Sequence, residues 1–227
     1  MGGMTFQRAR SEEQRAVRRR VILDTAAAML TEMPVAQVTL NELSRRVGLA
    51  KSNVLRYFES REAVLLELLD VAVREWLEQL DHTLSEAVDA SGTPVERADQ
   101  VAAVVAASLA ARPVLCDLVG AQAAVLEHNV SPRIAAEFKR AAIANAEVLI
   151  SLLRPRLPEL DEHAAFKFTA AAFMVTGAIW THCRPSAAML AAYEADPELA
   201  AMRMDFTATL RETLEVFLSG LLARATR

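Results

Sequence analysis

Apolar residues along this chain recur three and four positions apart, in long stretches closed by proline or glycine. No stretch shows the strict alternation of a half-buried strand. The pattern predicts an all-α protein without internal repeats. Ser11 with Gln14 makes a capping-box pair that opens a first helix to about Met33, with Val21, Ala28 and Leu30 near one another and Pro34 ending it. Thr39 with Glu42 repeats the device and starts a second helix at about Leu40, whose apolar face is Leu40, Leu43 and Val47. Gly48, free to adopt a left-handed backbone, closes it. Leu49 plugs the turn, and a short third helix runs from Lys51 to Phe58 with Val54 and Phe58 turned back on Leu43 and Val47.

The remainder reads as longer helices. Ser60 caps a fourth that carries Val64, Leu65, Leu68, Leu69, Val71, Ala72, Trp76 and Leu80 on to about Val88. Thr93 to Glu96 combines a capping box with proline at the first helical position, and that helix ends near Arg112-Pro113. Further helices are expected from Pro113 to about His128, from Ser131-Pro132 to Arg154, from Glu159 to Cys183, from Ser186 to Glu194 and from Ala200 to Ala223. Only 7 glycines and 8 prolines interrupt 227 residues, and alanine runs such as Ala170 to Ala172 favour helix further.

Two short helices joined by a glycine turn, the second with a polar outer face, make a helix-turn-helix. An α-helix fits the major groove of B-DNA, where lysine, arginine, asparagine and serine bond to base edges and phosphates. The formal net charge of −4 opposes that partner until the chain is divided. Residues 1–62 hold 11 Lys and Arg against 7 Asp and Glu, whereas the rest holds 14 against 22. The positive balance thus sits with the motif. Arg8 and Arg10, in an arm without periodicity, are in reach of a minor groove or belong to a charged tail.

The run from Thr39 to Glu62, with Gly48, Lys51, Tyr57-Phe58 and Ser60-Arg61-Glu62 in place, resembles the DNA-binding signature of the tetracycline-repressor (TetR) family. It departs at Ala50, where a serine or threonine often caps the recognition helix, and at Leu55, where an aromatic is frequent. The resemblance implies a three-helix DNA-binding domain over 1–62 and a helical ligand-binding and dimerisation domain over 63–227. Lys51, Ser52, Asn53 and Arg56 are then expected to read base edges, with Asn41 a further candidate, while Thr39, Tyr57 and Arg61 hold phosphates. It also implies a homodimer on a palindromic DNA operator, built on the last two long helices through Phe166, Ala170, Phe173, Gly177, Phe206, Leu210, Leu214, Phe217 and Leu221. The alternative for these faces is the chain's own core. A small-molecule effector is expected in the body, with Trp76, Cys116, His128, Phe138, Phe173, Met174 and Trp180 as candidate walls and an apolar ligand favoured by the alanine-rich interior.

Other chemistry is poorly served. Cys116 and Cys183 are the two cysteines, His182 and Cys183 point about 100° apart on a helix, and His82, His128 and His163 lack partners at metal-ligand spacing. No cofactor, metal or catalytic constellation is expected. Neither is a membrane span, since Phe168 to Trp180 is too short, and reduced thiols suit the cytoplasm. A ligand-responsive regulator, most simply a repressor, competes with an architectural DNA binder lacking an effector and with an enzyme housed in the helical body.

Overall fold

The first helix, α1 (Gly3–Glu32), buries Ile22, Leu23, Ala26, Met29 and Leu30, a broad apolar face at helical spacing. It belongs to a computed structural model that describes residues 3–225, with side chains from residue 12. Two expectations for α1 fail. Its backbone is already helical at Gly3, so Ser11 lies inside the helix rather than at its start, and the side chains of Ser11, Arg8 and Arg10 lie outside the described residues. Val21 is exposed and Ala28 is too, because Val21 and Leu30 stand about half a turn apart on opposite faces.

A short turn, Val35–Gln37, leads into α2 (Leu40–Val47), which Gly48 ends in the left-handed conformation at φ 72°. α3 (Lys51–Val54) is one turn long, shorter than the expected run to Phe58. Ala50 offers no side-chain acceptor to its first amides, and beyond Val54 the amides of Arg56 and Tyr57 reach back only three residues. Ser60 caps α4 (Arg61–Ala87) by accepting from the Ala63 amide at 3.1 Å. Then follow α5 (Pro94–Ala110) with a complete Thr93–Glu96 capping box, α6 (Pro113–Ala121), a π-helical turn (Gln122–Leu126) and α7 (Pro132–Leu153). The chain closes with α8 (Glu162–His182), α9 (Ala187–Ala195), α10 (Pro197–Ala200) and α11 (Phe206–Ala225). All regular structure among the described residues is helical.

Two further starts differ from expectation. α8 opens at Asp161, whose carboxylate accepts from the Ala164 amide at 2.7 Å, not at Glu159. α11 begins at Phe206 because Asp196 caps a separate turn, α10, and Asp205 then accepts from the Ala208 amide to start afresh.

The chain forms two compact units. One comprises residues up to Val71 together with Ala121–Phe138; the other comprises Ala72–Gly120 and everything from Lys139 onward. The first unit thus includes a segment, Ala121–Phe138, that the sequence reading left with the body. α4 and α7 each run without a break from one unit's residues into the other's.

In the second unit α11 packs on α5 and α8, burying Phe206, Leu210, Leu214, Leu218, Leu221 and Leu222. The stripe offered to a partner helix is therefore largely turned inward. Spacing reveals an apolar face without revealing what covers it, and here Phe206, Leu210, Leu214 and Leu221 fill the chain's own core while Phe217 stays exposed. α8 is long and apolar enough to cross a membrane, yet it buries Ala165, Phe168, Thr169, Ala171, Ala172, Thr176, Gly177 and Ile179 within this unit. Gly177 serves a crossing inside the chain: a Cβ there would lie 3.1 Å from both Gly120 Cα and Val119 O, backbone atoms that cannot swing aside. Gly177→Ala should therefore cost about 1–3 kcal/mol through overpacking. Gly48→Ala, with open space around the added carbon, should cost about 1 kcal/mol through its backbone alone. Thermal denaturation followed by circular dichroism checks both, and Gly48→Asn should recover part of the second loss.

Candidate nucleic-acid interface

The helix-turn-helix is held by a few side chains whose partners lie far away in sequence. Thr39 Oγ accepts from the Glu42 amide at 3.2 Å, which forms half of the expected capping box. The other half is absent because the Glu42 carboxylate is taken by Arg45 (2.6 and 2.9 Å) and Arg46 (2.8 Å). Those bonds, Arg45's first and Arg46's second, hold the Glu42 carboxyl down at about 2. Arg46 also reaches Glu32 at 2.7 Å, tying α2 to the end of α1. A depressed carboxyl contributes stability above its unfolded value, and that contribution is lost as pH falls toward 2. Glu42 therefore stays ionised and paired across neutral pH.

Val54 is fully buried and Phe58 nearly so, with the Arg19 guanidinium 4.3 Å from the Phe58 ring centroid. Arg19 also donates to the Tyr57 carbonyl and to the Glu67 carboxylate, so one side chain joins α1, the end of the recognition segment and α4. With the apolar side fixed inward, Lys51, Ser52, Asn53, Leu55 and Arg56 are exposed, as is Asn41 on α2. Thr39 is exposed too; its oxygen accepts the cap, and its hydroxyl proton remains free to donate. Tyr57 is half-buried, with the Arg15 guanidinium 5.9 Å from its ring.

Arg61 is placed differently from expectation. It donates to the Val35 carbonyl and to Glu62 at 3.1 Å, and its Nε is buried without a partner. Its guanidinium braces the turn before α2 instead of projecting outward for a phosphate, a distinction that needs the fold because Val35 lies 26 residues away. Conversely, the sequence reading missed Arg15 and Arg18. They line an open groove of about 760 Å³ with Glu13, Gln14, Val17, Val21, Arg56 and Tyr57, and Arg15 donates to the Arg56 carbonyl at 3.3 Å. The exposed Arg15-x-x-Arg18 spacing, one helical turn, was the available signal.

Of the candidate effector walls, the second unit brings Trp76 and Phe173 together, edge to face with ring centroids 5.9 Å apart, and the Trp76 indole donates to Ser108 Oγ at 2.9 Å. Trp180 meets Phe206 edge to face at 4.9 Å and donates to Asp117 at 2.6 Å. Cys116 is buried, its thiol donating to the Leu109 carbonyl at 3.3 Å. Met174 is 69% exposed and walls no interior, because it lies on the outer side of α8. His128 is an exposed residue of the first unit just past the π-helical turn, and Phe138 is buried in that same unit. A groove of about 400 Å³ over α4 and α5, lined by Leu80, Thr83, Val104, Ala107, Ser108 and Arg112 among others, contains none of the predicted walls. Of the proposed partner-facing residues, Phe166 is 51% exposed and Phe217 39%, Ala170 and Phe173 are half-buried, and Gly177 is buried.

Comparison with known proteins agrees with this geometry. Residues 22–68 match the family described as bacterial regulatory proteins, tetR family, and residues 70–225 match the tetracyclin repressor-like C-terminal domain. A 54-residue stretch is 39% identical to the HTH-type transcriptional regulator EthR of Mycobacterium tuberculosis, spanning 24% of this chain and 25% of that protein. The fold resembles a TetR transcriptional regulator from Rhodococcus sp. RHA1, with a TM-score of 0.56 at 13% identity over 93% of this chain and 98% of that one. It also resembles FadR from Bacillus subtilis, solved in complex with stearoyl-CoA, with a TM-score of 0.56 at 16% identity over 88% and 98% of the two chains.

Burial pushes the Cys116 thiol up to about 12, and burial also raises Cys183. A thiol-disulfide reagent at pH 8 should accordingly leave Cys116 unmodified in the native protein, reach only the half-buried Cys183, and modify both after denaturation.

Proposed function

This chain belongs to the TetR family of transcriptional regulators, and on that premise we propose that it is a cytoplasmic, homodimeric repressor that reads a palindromic operator and releases it when a small apolar effector binds. The observation that supports the DNA-reading part is the division of residues 51–58, α3 and the turn after it, with Val54 and Phe58 anchored and Lys51, Ser52, Asn53 and Arg56 outward. These four side chains, with Asn41, approach base edges; Thr39 and Tyr57 hold phosphates, joined by Arg15 and Arg18 along the groove. Arg61 acts inside the unit, as a brace. Glu42, beside the motif, offers little repulsion, since two arginines neutralise it.

One recognition helix makes few base contacts, each good bidentate pair being worth about 1–3 kcal/mol, so useful discrimination calls for two copies. Phe166 and Met174 on α8, and Val216 and Phe217 on α11, leave apolar surface exposed that a second copy would cover. The effector part is supported by the Trp76–Phe173 pair and by two hydroxyls near it in sequence. Thr169 and Thr176 are buried without a hydrogen-bond partner, whereas Thr25, Thr83, Thr181 and Thr213 each donate to the carbonyl four residues back. Unpaired buried hydroxyls cost about 1–3 kcal/mol each and suit an apolar ligand carrying a hydrogen-bonding group. Stearoyl-CoA, the molecule bound in the Bacillus subtilis FadR, makes an acyl chain the first effector to try. An effector acts only through higher affinity for a conformation that does not fit the operator.

Gel retardation on a duplex selected from a random library tests this reading. Wild-type protein should enrich a palindrome and bind it with a steep salt dependence, and Arg56→Ala should lower operator affinity by tenfold or more without changing the dimer on a sizing column. Enrichment of no sequence, with random duplex competing equally, would instead identify an architectural binder. Thr169→Val and Thr176→Val should leave operator binding intact, raise or preserve the melting temperature, and blunt release by a long-chain acyl-CoA.

A further inference from the structure

Glu59 stands between the buried Phe58 and the cap of α4, and the operator-reading scheme gives it no role. Its carboxylate accepts from the Ser131 backbone amide at 2.6 Å and from the Ser131 hydroxyl at 2.8 Å, and the Arg133 guanidinium lies 3.5 Å away. Arg133 is shared with Glu137, one turn on, at 2.8 Å. Ser131 Oγ in turn accepts from the Ile134 amide at 3.3 Å and so caps α7. The two Ser131 bonds, the backbone one foremost, hold the Glu59 carboxyl below the usual glutamate range.

All of these residues belong to the first unit, and Glu59 and Ser131 are 72 positions apart in the chain. The recognition segment is thus held at three consecutive residues by three different means. Arg19 binds the carbonyl of Tyr57, burial fixes Phe58, and the first turn of α7 receives Glu59. An exposed ion pair alone would contribute little, but here two charge-assisted hydrogen bonds and an ion pair meet on one carboxylate that is 29% exposed.

We propose that Glu59 is a positioning residue for operator recognition: through Ser131 and Arg133 it ties the exit of the recognition segment to the first turn of α7, so that the place of that turn sets the aim of Lys51, Ser52, Asn53 and Arg56. The proposal rests on the regulator reading and deepens it, because α7 continues beyond Phe138 as one helix into residues of the second unit. Coupling of this kind is reciprocal. If the start of α7 biases DNA binding, DNA binding must steady the start of α7.

The test uses the full-length protein and the duplex enriched by wild type from a random library. Glu59→Ala should weaken binding to that duplex about tenfold while leaving binding to random duplex unchanged or slightly stronger. Simple electrostatics predicts the opposite sign, since removing an acid from a DNA-binding unit strengthens its hold on any duplex, so a loss confined to the operator reports position. Glu59→Gln, which keeps one acceptor, should fall between the two. Hydrogen exchange supplies a second readout: operator should slow exchange of the Ser131, Arg133, Ile134 and Ala135 amides in wild type and not in Glu59→Ala. Equal operator affinity in Glu59→Ala and wild type, or the same exchange response in both, overturns the proposal. A library that enriches nothing overturns the regulator reading and the proposal together, and does so with the wild-type protein alone.

Discussion

A helix of a single turn has no stability of its own, because nucleation fixes several dihedral angles for one hydrogen bond. α3 is such a turn, and Ala50 gives its first amides no side-chain acceptor. What keeps it in place is burial of Val54 and Phe58, each of which contributes about 1.5–3 kcal/mol on leaving water. Everything proposed for function depends on that anchoring. It converts a flexible run of Lys51, Ser52, Asn53 and Arg56 into a surface of fixed shape, and fixed shape is what distinguishes reading a sequence from adhering to phosphate.

Charge is arranged to the same end. Arg19, Arg46 and Arg61 are spent inside the first unit on the Tyr57 carbonyl, Glu67, Glu32, Glu42, Glu62 and the Val35 carbonyl. They hold α1, α2, the recognition segment and α4 in register. The acids they engage no longer oppose DNA, and Lys51 and Arg56 remain on the surface. The chain's overall acidity is carried by the rest of the molecule, outside the segment that holds the motif.

Much of this was legible in the sequence wherever a signal is local. Gly48, the Ser60 and Thr93 caps, and the inward pair Val54 and Phe58 all stand as read, because caps and helical periodicity act over three or four residues. The same local signal misled where several candidates compete: Ser11 lies within α1, Asp161 rather than Glu159 opens α8, and Asp205 rather than Ala200 opens the terminal helix, Ala200 ending a separate turn capped by Asp196. Partners distant in sequence were illegible. Nothing near Arg61 points to Val35, nor near Glu59 to Ser131, and the apolar spacing of α11 could not say that Leu210 and Leu214 face the chain's own α5 and α8. Met174 and His128 were chosen for residue type, and type does not determine which way a side chain faces.

The most direct test of the anchoring account is site-specific photocrosslinking. With a photoreactive amino acid at Ser52, the full-length protein should crosslink to an operator duplex at bases within each half-site. The same group at Ala28, exposed on α1, should bind the duplex equally well and give no crosslink. Retained binding with no crosslink at position 52, or with crosslinks as strong from position 28, would contradict the claim that α3 is held outward to read DNA.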